Sequence, residues 1–129
     1  MDCRVVVVDD DRVTLTMLEK SLTEAGFEVV TAQDGMKALS LIQTESPDVV
    51  ISDLLLPKIH GLELCQRIRQ NVLLKNIAVI LMSAVYDYST FRAEIEQVAA
   101  DYFITKPLDM PRLIELIQNL VNKKQQNED

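Results

Sequence analysis

Short, uninterrupted apolar runs punctuate the chain at residues 5–8, 27–31, 49–52, 78–82 and 102–104. Most are rich in β-branched residues, and none alternates strictly between apolar and polar. A strand with one wet face alternates, whereas a strand covered on both faces reads as continuous apolar sequence. Helical stripes lie between the runs. Leu15, Leu18 and Leu22 form the first, with Gly26 as a C-terminal stop. Met36, Leu39 and Ile42 form the second, and Leu62, Cys65 and Ile68 the third. Phe91, Ile95 and Val98 follow Ser89 as an N-cap. Leu113, Leu116, Ile117 and Leu120 follow Asp109 as a cap, with Pro111 tolerated in the first turn. Repeated strand–helix units predict a single parallel sheet with helices on both faces.

Residues 1–122 are expected to form one domain, and residues 123–129 a polar tail without periodicity. At 129 residues the chain can bury a core without disulfides or a structural metal. Cys3 and Cys65 lie far apart with no partner His, which suits two reduced thiols. A net charge of −7 argues against direct binding to nucleic acid or to an anionic membrane. The apolar run 77–82 is far too short to span a bilayer, and Met1 leads into a strand with no basic flank. A soluble, cytoplasmic chain is the expectation.

Ligands of open parallel α/β sheets bind beyond the carboxyl ends of the strands. Strand one ends in Asp9, Asp10 and Asp11, strand three in Asp53, and strand four in Ser83. Strand five leads into Lys106–Pro107. Two carboxylates 4 Å apart repel by roughly 4 kcal/mol at an effective dielectric of about 20, so such a cluster needs either a cation or a function. Clustered carboxylates suit a hard cation such as Mg²⁺, and no His-rich or Cys-rich set suggests zinc. A lysine and a hydroxyl nearby are what a phosphoryl group needs. The set therefore points to cation-assisted phosphoryl transfer to or from a carboxylate.

The runs "VVVVDDD", "AQDGMKAL", "PDVVISDLLLPKIHGLEL", "AVILMSA" and "AADYFITKPL" occur in this order at characteristic spacings. Together they resemble the receiver domain of two-component response regulators, over residues 4 to about 121. The resemblance implies a flavodoxin-like (βα)5 three-layer sandwich with strand order 2-1-3-4-5. It implies that Asp53 is the phosphoacceptor, supported by Pro57 and Gly61. Asp10 would bind Mg²⁺ directly and Asp9 mostly through water, with Asp53 and the Leu55 backbone carbonyl completing the protein ligands. Ser83, the Ala84 amide and Lys106 would hold the phosphoryl group, and Phe103 would be the aromatic switch. The Lys106–Pro107 bond would be cis, a state open mainly to X–Pro bonds.

Implied partners are a histidine kinase or histidine phosphotransfer protein, and a downstream effector or fused output domain. A phosphorylation-dependent dimer is a further expectation. Leu55 and Val85 stand two residues beyond Asp53 and Ser83, where the family tunes dephosphorylation. Two apolar side chains there would hinder water and prolong the phosphoryl group's life. Asp11 is expected to cap the first helix, His60 to be an ordinary loop residue, and Tyr86 and Tyr88 to line the loop before helix four.

Two other readings compete. "VVVVDDDRV" also fits the hhhhDxDxV motif of haloacid-dehalogenase-type phosphohydrolases, with Asp9 as nucleophile. That family needs an acidic pair after the lysine and room for a cap domain, and it leaves "SDLLLP" and Gly61 unexplained. A pseudo-receiver that only binds a partner would have lost Asp53, the acidic pair or the lysine, and all are present.

Overall fold

The computed structural model describes residues 3–84 and 88–127. Strands and helices alternate without exception: β1 Arg4–Val8, α1 Arg12–Glu24, β2 Glu28–Ala32, α2 Gly35–Glu45, β3 Val49–Asp53, α3 Gly61–Gln70, β4 Ala78–Ser83, α4 Tyr88–Gln97, β5 Tyr102–Thr105 and α5 Met110–Asn127. The strands form one parallel sheet of order β2-β1-β3-β4-β5. This is the flavodoxin-like order expected from the sequence.

Successive strand residues point to opposite faces, so each strand feeds two cores. Val6, Val8, Val50, Val79 and Leu81 pack with Ala38 and Ile42 of α2, Leu64, Cys65 and Ile68 of α3, and Ile95 of α4. Val5, Val7, Val49, Ile51, Ile80 and Met82 pack with Leu15, Leu18 and Leu22 of α1 and Leu113 and Ile117 of α5. Burial on both faces explains why the strand sequences never alternate. Each fully buried Val, Leu or Ile contributes about 1.5–3 kcal/mol through loss of apolar contact with water.

Two local expectations need correction. The buried stripe of α2 is Gly35, Ala38 and Ile42, while Met36 is exposed. The small residues Gly35 and Ala38 face inward because the helix packs closely there. Ser89 lies inside α4, which begins one residue earlier, so it is not the N-cap, and Phe91 interrupts the helical geometry (φ −120°, ψ 19°). At the chain's far end α5 continues to Asn127, through the polar residues that follow 122. Lys and Gln are good helix formers, and no Gly or Pro intervenes to stop the helix.

The caps at Asp11 and Asp109 are as expected. Asp11 accepts from the Val13 amide at 3.2 Å, and Asp109 from the Arg112 amide at 3.2 Å. Both cysteines are buried thiols outside any disulfide. Among the described residues no helix is long and apolar enough to cross a membrane.

At the amino end of the strands Arg69 holds several loops together. Its guanidinium donates to the carbonyls of Ala99, Lys75 and Ile77 and to Asp101 Oδ2. The same Asp101 oxygen accepts the Val79 amide at 2.7 Å, continuing the ladder where β5 has not yet begun.

Candidate functional site: a carboxylate–lysine cluster at the strand ends

Parallel register brings the ends of β1, β3, β4 and β5 to one edge. Val8 lies beside Ser52, Asp53 beside Met82, and Ser83 beside Thr105. The residue at or just after each end is polar, so Asp9, Asp53, Ser83 and Lys106 converge although up to 97 positions separate them.

The three aspartates after β1 have three different surroundings. Asp9 is fully buried; its Oδ2 accepts from Lys106 Nζ at 2.7 Å and its Oδ1 from the Asp11 amide at 2.9 Å. Asp10 is exposed. Asp11 turns away to cap α1, and it also accepts from the Thr14 hydroxyl at 2.7 Å. That bond and the helix amides hold the Asp11 carboxyl below the usual carboxylate range.

Asp53 ends β3 with its side chain 14% exposed, reachable yet largely desolvated. Its Oδ2 accepts from Lys106 Nζ at 3.2 Å and its Oδ1 from the Leu55 amide at 3.4 Å. Burial and the nearby Asp9 charge raise its pKa, and the lysine only partly offsets them. Burial pulls Lys106 down, but its hydrogen bonds and charge pairing with Asp9 and Asp53 outweigh this and leave it raised. The lysine's own amide donates to the Ser83 carbonyl at 3.0 Å, and the following bond to Pro107 is cis.

Carboxylate oxygens of Asp9, Asp10 and Asp53 come within 4.8 Å of one another. An all-oxygen donor set at this spacing fits a hard divalent cation better than a soft one. Leu55 sits in the loop after β3, exposed between the buried Leu54 and Leu56. Gly61 lets α3 start hard against the end of β3, where a Cβ would lie 2.4 Å from the Asp53 carbonyl oxygen.

Ser83 is buried at the end of β4 and Ala84 is exposed just beyond it. Val85 and Tyr86 lie outside the described residues. Phe103 is half-buried against the α2–α3–α4 core, and the Tyr88 ring stands 6.1 Å from it at 50°. His60 precedes α3 without a capping bond from its side chain. Sequence reasoning did not foresee the Asp11 amide as a fixed donor to Asp9, nor the pairing of Tyr88 with Phe103. The first depends on the backbone turn after β1, and the second on where α4 begins; neither leaves a local pattern.

Comparison with known proteins agrees with this geometry. The family model for the response regulator receiver domain matches residues 5–118. The alkaline phosphatase synthesis transcriptional regulatory protein PhoP of Bacillus subtilis is 36% identical over 107 residues, which is 83% of this chain and 43% of that protein. The response regulator MprA of a Mycobacterium species is 33% identical over 128 residues, covering 99% of this chain and 54% of its own. The chain thus spans about half the length of the curated relatives it matches. Among solved structures, the chemotaxis response regulator CheY4 of Vibrio cholerae superposes with a TM-score of 0.86 at 28% identity, covering 93% of this chain and 99% of that one. The chain belongs to the response regulator receiver domain family.

Proposed function

We propose that Asp53 accepts a phosphoryl group from a histidine kinase or histidine phosphotransfer protein and that this event resets the α4–β5–α5 surface. The observation that carries the reading is Lys106 Nζ bridging Asp9 at 2.7 Å and Asp53 at 3.2 Å. A long-stemmed cation shared by a buried anchor and a mostly buried but reachable acceptor can follow new charge at the acceptor.

Asp10, Asp53 and the Leu55 carbonyl would hold Mg²⁺ directly. Asp9, with its oxygens already engaged by Lys106 and the Asp11 amide, would act through water. When bound, the ion neutralises carboxylate charge and orients phosphoryl oxygens. In the transfer, the P–N bond of a phosphohistidine breaks as an Asp53 oxygen forms the new P–O bond, and the imidazole leaves with the electron pair. Lys106, the Ser83 hydroxyl and the Ala84 amide then bind the phosphoryl oxygens. Charge-assisted bonds of about 1.5–3 kcal/mol each can supply the roughly 5.5 kcal/mol that moves a two-state element from 1:99 to 99:1.

Phe103 stands beside Leu81, two residues before Ser83 on β4, and packs against Tyr88, so movement at the end of β4 would be felt on the output face. A groove of about 440 Å³ lined by Tyr88, Phe103, Leu108, Arg112 and Leu116 opens on that face. An effector or a fused output domain, or a second phosphorylated copy, would read this surface. Residues 1–122 form the receiver in this reading, acting in the cytoplasm, with 123–129 as a polar extension. Chemistry is confined to self-phosphorylation from small donors and autodephosphorylation.

The phosphohydrolase reading loses ground because Asp9 is fully buried and both its oxygens are engaged, which leaves no path for in-line attack. One assay separates all three readings: beryllofluoride or acetyl phosphate with Mg²⁺. A receiver forms an adduct that Asp53→Asn abolishes and Asp9→Asn tolerates. Turnover of phosphate esters dependent on Asp9 supports the hydrolase, and neither response supports a pseudo-receiver.

A further inference from the structure

The run "AQDGMKAL" takes part in none of the chemistry above, yet its Asp34–Gly35 corner lies against the loop carrying Leu55. That loop is tied down at its base by the Leu54 amide on the Met82 carbonyl at 2.8 Å and the Gly61 amide on the Leu54 carbonyl at 3.0 Å. Its far side rests on the start of α2. The Gly35 amide is one of the helix's unpartnered first-turn donors, and it bonds the Pro57 carbonyl at 3.3 Å. Asp34 caps the helix through the Lys37 amide at 2.8 Å, and its other oxygen stands 3.8 Å from Lys58 Nζ.

Between Pro57 and Ile59 the backbone turns through Lys58 at φ 70°, a left-handed conformation that costs a non-glycine residue free energy. Such a turn persists only where its surroundings impose it. Gly35 is the surface that imposes it. A Cβ there would lie 2.1 Å from the Ile59 carbonyl oxygen and 2.5 Å from the Ile59 Cβ. Ile59 is itself buried and anchored in the core, so it cannot swing outward freely.

We infer that Asp34 and Gly35 are positioning residues for the cation site, clamping the 54–60 loop so that the Leu55 carbonyl faces Asp53. This rests on the proposed reading that the Leu55 carbonyl, Asp10 and Asp53 hold Mg²⁺. An alanine at 35 must push Ile59 back by about an ångström to reach even the 3.0 Å that real Cβ contacts respect. Mg²⁺ demands near-octahedral oxygens at about 2.0–2.1 Å, so a carbonyl displaced on that scale ceases to be a ligand.

The test is Mg²⁺ titration of the full chain by calorimetry, with amide NMR shifts read alongside. Gly35→Ala is expected to weaken Mg²⁺ binding at least about tenfold and to remove the Leu55 amide's response to the ion. Asp34→Ala should weaken it about threefold, and Asp34→Asn, which preserves the cap, should recover most of that. Leu22→Ala, a core substitution on the opposite sheet face, should lower stability and leave the affinity unchanged. A folded Gly35→Ala protein that binds Mg²⁺ within twofold of the wild type overturns the inference. Should that protein fail to fold, an unchanged affinity in Asp34→Ala overturns it instead. Wild type that takes up no Mg²⁺, or whose affinity survives Asp53→Asn, overturns the site reading and this inference with it. An intact Asp53 effect without a Gly35 or Asp34 effect overturns the inference alone.

Discussion

Replacing Lys106 with methionine keeps the side chain's length and removes its charge. Asp9 then remains fully buried with no cation, beside a second carboxylate at Asp53. Removing one partner of a buried ion pair costs about 3–5 kcal/mol, because the other charge is left uncompensated. An independent route gives a similar size. Carboxylate oxygens of the cluster lie within 4.8 Å of one another, and unit charges at that distance repel by about 3.5 kcal/mol at an effective dielectric of about 20. Lys106→Met should therefore lose about 3–5 kcal/mol in urea unfolding at pH 7 with EDTA, a large part of a total stability of about 5–15 kcal/mol.

Two further arms of that measurement test the cause. Mg²⁺ at a fixed concentration of a hundred times the wild type's Kd stabilises the wild type by about 2.7 kcal/mol. It should stabilise the variant more than the wild type, since the ion no longer shares the carboxylates with an ammonium. Lower pH should also shrink the deficit. Asp53 already has a folded-state pKa above the unfolded 3.8, so the native state binds more protons there and its stability falls as pH rises through that window. Without the lysine the window widens, so the variant should recover toward the wild type as pH falls through it. A loss below about 1 kcal/mol in EDTA, or equal stabilisation of both proteins by Mg²⁺, refutes the argument.

Ser83→Ala should fold normally and weaken beryllofluoride binding about tenfold, one charge-assisted hydrogen bond's worth, as read by calorimetry. Autodephosphorylation of Leu55→Asn/Val85→Glu should be faster than in the wild type, because polar side chains admit and orient water; an equal or slower loss of phosphate counts against this. Asp101→Ala strands the buried Val79 amide and removes one of the partners of Arg69, and should cost about 1–3 kcal/mol in thermal or urea unfolding. Burial pushes the Cys65 thiol up to about 11, so a thiol reagent at pH 8 should modify it only as fast as the protein opens. Rates that follow thiolate chemistry in the native state would contradict that.

The fold was legible because burial on both faces writes itself into the strands as unbroken apolar runs, and parallel strands need helices between them. The site was legible for a related reason: residues 9, 53, 83 and 106 stand at strand ends, and strand ends are easy to locate. What the sequence did not reveal depends on packing distance. Met36 carries the right spacing for the α2 core stripe, but Gly35 and Ala38 face inward, and at Gly35 the helix lies too close to Ile59 of the neighbouring loop for any side chain. The break at Phe91 and the continuation of α5 to Asn127 have the same character. Local propensity allows several outcomes there, and tertiary contact selects one. Asp9, Asp10 and Asp11 are identical side chains, so only the turn of the backbone after Val8 could assign one to the lysine, one to solvent and one to a helix.

That division makes the charge balance of the site intelligible. Asp9, Asp10 and Asp53 bring three negative charges, and Lys106 is the cation that bonds Asp9 and Asp53. The remainder is about −2, the charge that one divalent cation cancels. Phosphorylating Asp53 consumes one carboxylate charge and adds about 1.5–2 negative charges at neutral pH. With the dication bound, the site then carries between about −0.5 and −1, a load that the Ser83 hydroxyl, the Ala84 amide and a closer lysine can stabilise. Without it the site would carry between about −2.5 and −3 in a largely desolvated cleft. At about 4 kcal/mol for each pair of like charges 4 Å apart, that is comparable to the whole stability of a domain this size. On the proposed function, then, counting charges predicts dependence on a divalent cation. The same count explains why Asp9 is buried against the lysine. If Asp53 is the acceptor, as proposed, an anchor held on the acidic side keeps the ammonium within its reach before any phosphoryl group arrives, and the response needs only a short movement.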